Sequence, residues 1–265
     1  MRANRLWVTF GVGMLLTACN STGPADPGDA PELPLEEALA FDIETFPPVS
    51  SSVTAPGAPA RVPSGTHHTV AALTVLGINV AVVTVTAVPR LTWAALATRQ
   101  PTFEDGRWHW RGSTSILGVT YSGDLSAFTE QGDVVAEVRI SSPVVSNFLW
   151  YDLHAPIGGT SGQWRVYDAN QPSTPTVVGT IDWTHPAADE WNLTFTTVGG
   201  ANAGDNLMYA VDGDDRTVSW YDASAATTHG IGWDAVTHAG YIQAAAYNGG
   251  VRSCWDTNLQ NVTCP

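Results

Sequence analysis

The 265-residue sequence predicts a mainly β fold: an antiparallel meander curled into a barrel or half-barrel, with one apolar N-terminal helix packed against or inside it. Three observations predict it. Past Pro101 the apolar residues recur with period two in about eleven short runs, and no helical period intervenes. Clusters of Gly, Pro, Asn and Asp separate those runs as turn signals. Between Thr69 and Pro89 the chain carries no charge and is apolar nearly all round, which demands burial on every side.

The chain begins "MRANRLWVTFGVGMLLTACN": two Arg, an uncharged run from Leu6 to Ala18, then Cys19. A positive start followed by an apolar stretch too short to span a bilayer comfortably is the layout of a secretory signal. The ending "LTAC" resembles the lipobox of bacterial lipoproteins. The resemblance covers the first 20 residues and implies that residues 1–18 are removed and that Cys19 carries the lipid. Asn20 follows where an inner-membrane retention signal of enteric bacteria has Asp, so a host with two membranes implies the outer one.

Residues 19–66 read as a Pro-rich acidic tether with no cation before Arg61. Its prolines favour extended, semi-rigid chain. Within it, "LEEALAFDIETF" is the part suited to a short helix or to docking on the domain. Residues 67–265 read as a single β-rich domain, with a helix over 70–98 and strands over 103–256. The 70–88 stretch has two other readings: a membrane span, on its length, or a strand at "VAVVTVTAV" (80–88), on its β-branched residues. Five polar residues (Thr69, Thr74, Asn79, Thr84, Thr86), Gly77 and Pro89 argue against the span.

Two hairpins are marked: "LMYAVDGDDRTVSWYD", turning at Asp212–Asp215, and "YIQAAAYNGGVRSCW", turning at Asn248-Gly249. So many strands in a flat sheet would leave long edges, which argues for curling. Of three Cys, Cys254 and Cys264 remain once Cys19 is lipidated, and an exported compartment lets them form a disulfide. Two Cys alone do not make a zinc site.

The composition excludes one partner class. With 25 acidic residues against 11 cations, all Arg, the charge of −14 lacks the clustered cations that nucleic acid requires. The chain instead repeats an aromatic–Asp motif at strand ends: "WYDL" (Trp150, Tyr151, Asp152), "VYDA" (Tyr167, Asp168), "WYDA" (Trp220, Tyr221, Asp222), "GWDA" (Trp233, Asp234) and "CWDT" (Trp255, Asp256). The structural reading is a strand-exit device in which Asp bonds backbone N–H groups two residues on. The functional reading is an aromatic platform with a carboxylate, for which Trp150, Asp152, Trp220, Asp222 and Trp233 are the ligand-binding candidates. In a regular strand, Trp and Asp two apart share a face.

"DGDD" lacks the spacing and closing Glu of a calcium loop and reads as a solvated turn. His229, Asp234 and His238 match no short catalytic or metal motif, and His67-His68 sits at the helix start. "GTSG" lacks the G-x-S-x-G frame, and no zincin, phosphate-loop or dinucleotide motif occurs. No cofactor or metal is expected. The expectation is a lipid-anchored envelope protein, non-enzymatic, binding an amphiphile, a carbohydrate or a partner protein. A scaffold without a pocket, or a hydrolase with an unrecognised site, are the alternatives.

Overall fold

The computed structural model describes residues 28–33, 45–48, 65–116 and 118–265, so Cys19 and the lipobox lie outside the described residues. One helix, α1 (Thr66–Ala97), is followed by fourteen strands: β1 (Thr102–Glu104), β2 (Arg107–Ile116), β3 (Val119–Glu130), β4 (Asp133–Ser142), β5 (Val145–Pro156), β6 (Ser161–Tyr167), β7 (Val177–Ala187), β8 (Glu190–Thr197), β9 (Asn206–Asp212), β10 (Asp215–Asp222), β11 (Thr227–Asp234), β12 (Gly240–Gln243), β13 (Ser253–Trp255) and β14 (Asn261–Val262). Each strand pairs antiparallel with the next, in chain order from β1 to β14. The meander follows from short turns. The β1–β2 hairpin turns on Asp105-Gly106, both at positive φ, as a two-residue turn matched to strand twist requires.

The sheet is open, with β1 and β14 as its edges, so of the expected barrel or half-barrel the closed barrel does not form. Its physical reason is α1, which lies across one face and touches β2 and β3 at one end and β12, β13 and β14 at the other. A helix of 32 residues is about 48 Å long. The eleven steps from β2 to β13 cover about 53 Å. The helix is as long as the sheet is wide, so it covers the apolar face without closure. Both edges are short, three and two residues, which limits edge-to-edge pairing.

The strand reading of 80–88 is overturned, since those residues continue α1, which runs unbroken through Pro89. No helix among the described residues is long and apolar enough to cross a membrane. The helix runs opposite to strand order. At its start, the Gly65 N–H donates to the Leu259 carbonyl (2.7 Å) and the His67 N–H to Asn261 Oδ1 (3.0 Å). These bonds satisfy first-turn donors that the helix itself cannot. Near its end, Trp93 packs edge-on against Trp164 (4.8 Å), and Leu96 and Thr92 lie over Gly123, where a Cβ would come within 2.9 Å of Leu96.

Beneath the helix, one apolar row runs in register through Leu153, Trp164, Ile181, Phe195, Leu207 and Trp220. A second runs through Trp183, Leu193, Tyr209, Val218, Ile231 and Ile242. The core also takes in residues before position 67. Phe46 is buried, stacked on His68 and edge-on to Trp233 and Trp255, and Leu33 packs against the core elsewhere, beside Val134, Ala155 and Trp183.

The Cys254–Cys264 disulfide is formed. The loop it closes carries Leu259 and Asn261, so the bridge stiffens the segment that caps α1. The Asp212–Asp215 hairpin is tight, with Asp212 opposite Asp215. The second hairpin is centred as expected, but its ladder ends at Ile242 opposite Ser253, and a 3₁₀ turn over Asn248–Gly250 fills the gap.

Candidate functional site

The repeated Asp motif resolves into two different roles. Asp168 accepts the Asn170 N–H (2.9 Å), Asp222 the Ala225 N–H (2.9 Å), Asp234 the Val236 and Thr237 N–H groups (2.9 and 2.6 Å) and Asp256 the Asn258 and Gln260 N–H groups (both 2.9 Å). These four cap strand exits. Hydrogen bonding to the charged form holds three of them below the usual carboxylate range: Asp168 through the Asn170 amide, Asp222 through the Ser224 hydroxyl, and Asp234 through the Thr237 amide.

Asp152 is the exception. It is 5% exposed and lies mid-strand. Arg165 donates to both its oxygens (Nε to Oδ1, 2.8 Å; Nη2 to Oδ2, 2.6 Å), and the Tyr167 hydroxyl donates to Oδ2 (2.7 Å). Burial, followed by the bond to Asp152, pushes the Tyr167 phenol up to about 12. This is a satisfied ion pair on the face away from α1. Trp150 does not share that face. A β-bulge after Val138 shifts the register, and Trp150 packs against the core beside Phe148 and Tyr121. Trp150 and Asp152 therefore form no common platform. Trp233 is 2% exposed, buried against Phe46.

Trp220 and Asp222 are the candidates that the structure does bring together. They border a cavity of about 290 Å³ between the middle of α1 and β8–β10. Ile78, Val82, Phe195, Leu207 and Trp220 form its apolar wall, and Asp205, Asn206 and Asp222 its polar rim. Trp220 is braced by His229, stacked at 4.9 Å. The Ala245 N–H donates to His229 Nδ1 (3.2 Å), so that nitrogen is the acceptor and Nε2 carries the proton toward Thr227 Oγ1 (3.1 Å). On Asp222 the Ser224 and Ala225 bonds both end on Oδ1, and a carboxylate retains lone pairs for further donors.

His229, Asp234 and His238 do not converge. His229 alternates with Ile231 and Trp233 toward the helix, whereas Asp234 points to the other face and caps its turn. Among the described residues, no group of three His, Cys, Asp or Glu is placed to hold a metal ion. At the helix start, burial pushes His68 below its ordinary value, and its Nε2 donates to the Pro47 carbonyl (3.0 Å).

Sequence reasoning missed the far face of β9–β13. A cleft of about 520 Å³ lies there, bordered by Asp212, Asp215, Asp234, Tyr241 and Arg252, and a groove of about 220 Å³ adjoins it. The legible signal was Gly230 and Gly232 alternating inside a strand, since glycine there marks close approach of another group. No family model matches the chain, and no curated protein or solved structure matches it either.

Proposed function

We propose that this is a lipid-anchored, non-enzymatic protein of the cell envelope that binds an amphiphile in the cavity between α1 and β8–β10. The observation that carries the binding is the shared cavity of Trp220 and Asp222. One wall is aliphatic and aromatic and the rim is acidic and amide-bearing, which suits a molecule with an apolar body and a donor-bearing head. The sheet is read as a shallow trough, half of the expected barrel, with α1 seated in it. The anchoring rests on Cys19 in "LTAC", and Asn20 favours the outer membrane.

A dense core favours the scaffold reading: Trp93, Trp164 and Tyr151 fill the space under the last turns of the helix. The two readings part at the cavity. The fluorescent amphiphile N-phenyl-1-naphthylamine should bind the full chain, and Trp220→Ala should weaken it severalfold while Trp150→Ala should not. No emission gain with the wild type would leave the scaffold. Separately, Cys19→Ser should abolish labelling by radioactive palmitate, and continued labelling would refute the anchor.

A further inference from the structure

We propose a second binding site, for an acidic oligosaccharide, on the face of β10–β12 that points away from α1. It is independent of the amphiphile cavity, which lies on the other side of the sheet.

Three observations carry it. The Arg252 guanidinium lies 3.8 Å over the centre of the Tyr241 ring. The underside of that ring rests on Gly232, where a Cβ would collide with it. The guanidinium thus sits over the ring at the surface, and no carboxylate pairs with it among the described residues. By contrast, Arg107, Arg111, Arg139 and Arg165 each meet a carboxylate. A planar guanidinium seated on an aromatic face with open donors can grip a carboxylate with two parallel bonds.

The second observation is the groove beside it. Thr217, Ser219, Thr228 and Gln243 border it, and they supply donors and acceptors of the kind that sugar hydroxyls require. The third is its floor. Gly230 sits mid-strand with nothing within 4 Å of where its Cβ would be, and its φ lies outside the left-handed region. Neither crowding nor backbone conformation explains this glycine, which weakens the strand. Close approach of a ligand does.

The groove and the larger cleft flank the Tyr241–Arg252 ridge, since both residues border each of them. A sugar chain rather than a single sugar fits that layout. A uronate carboxylate sits on Arg252, its own hydroxyls enter the groove, and the next sugar donates hydroxyl protons to Asp215 and Asp234 across the cleft.

Titration calorimetry of the full chain in detergent micelles with an aldotriouronic acid, one glucuronate on two xyloses, tests this, with neutral xylotriose as the comparison. The aldotriouronic acid should bind, and Arg252→Gln should weaken it about tenfold or more, as loss of a bidentate charge-assisted pair implies. Arg252→Lys should recover only part, because a point charge replaces the fork. Gly230→Val should fold normally, since the space above it is open and valine suits a strand, and should block the groove. That variant should still bind N-phenyl-1-naphthylamine, which separates failure here from failure of the amphiphile site. The proposal is overturned if the wild type does not bind the aldotriouronic acid, if it prefers xylotriose, or if Arg252→Gln or Gly230→Val binds the aldotriouronic acid as the wild type does.

Discussion

The two halves of the sheet use the same residue types to opposite ends. Over β1–β6, the face away from the helix is a row of matched charges: Arg111 with Glu104 and Asp124, Arg107 and Arg139 with Glu137, and Arg165 with Asp152. Under the last turns of α1, the helix side of that half is filled by Trp93, Trp164 and Tyr151, and a cavity of about 250 Å³ lies further along beside Val134, Ala155 and Trp183. Over β9–β13, Asp222, Asp234 and Asp256 turn to cap their own strand exits, Arg216 donates to the Gly213 and Asp215 carbonyls, and Arg252 meets a ring rather than a carboxylate. That half keeps cavities on both faces. Charge pairing closes a surface, and its absence leaves one open to a ligand.

The largest effect should come from the filled half. Trp164→Ala should cost about 3–5 kcal/mol in urea unfolding, from lost burial plus the cavity left behind. Trp220→Ala should cost less than half as much, since that ring already borders a void. Equal losses would erase the contrast between the halves.

Asp152→Ala should cost about 2–3 kcal/mol, because it strands Arg165 and the Tyr167 hydroxyl. The partial exposure of Arg165, 39%, keeps the figure below that of a fully buried pair. Arg252→Gln should change stability by no more than about 0.5 kcal/mol, as an unpaired surface residue implies. A large loss there would make Arg252 structural and sharpen the comparison against the binding reading.

Replacing both Cys254 and Cys264 by Ser should cost about 2–3 kcal/mol on loop-closure entropy. The loss should appear as earlier hydrogen exchange at the first turns of α1, which that loop caps, while the last turns near Trp93 keep their protection.

The smallest effect is pH-dependent. Burial holds His68 neutral, so its folded pKa lies below the ordinary 6.5 and the unfolded chain takes up the proton first as pH falls. The stability this group contributes is complete above 6.5 and is lost as pH falls from there toward the lower folded value. The urea midpoint should drop across that window in the wild type and drop less in His68→Gln. An identical drop in both would assign the effect elsewhere.

The meander was legible because alternation and turn residues are local signals: "TVSWYDA" and "HGIGWDA" specify strands whatever surrounds them. The strand-exit role of Asp222, Asp234 and Asp256 was legible for the same reason, since each bonds N–H groups two to four residues on. The pairing of Asp152 with Arg165 was not, because its partner lies across a ladder. Nor was the displacement of Trp150, which depends on a bulge that the repeat "WYD" does not show.

By itself, then, the sequence determined the strands, the turns, the disulfide partners and the separation of one apolar helix from a β region, all set by periodicity and near-neighbour bonding. The tertiary structure alone decided that the sheet stays open. Closure depends on whether something else covers the apolar face, and here a helix about as long as the sheet is wide does so. It also decided that Arg252 meets a ring rather than a carboxylate, since pairing is a matter of register across strands.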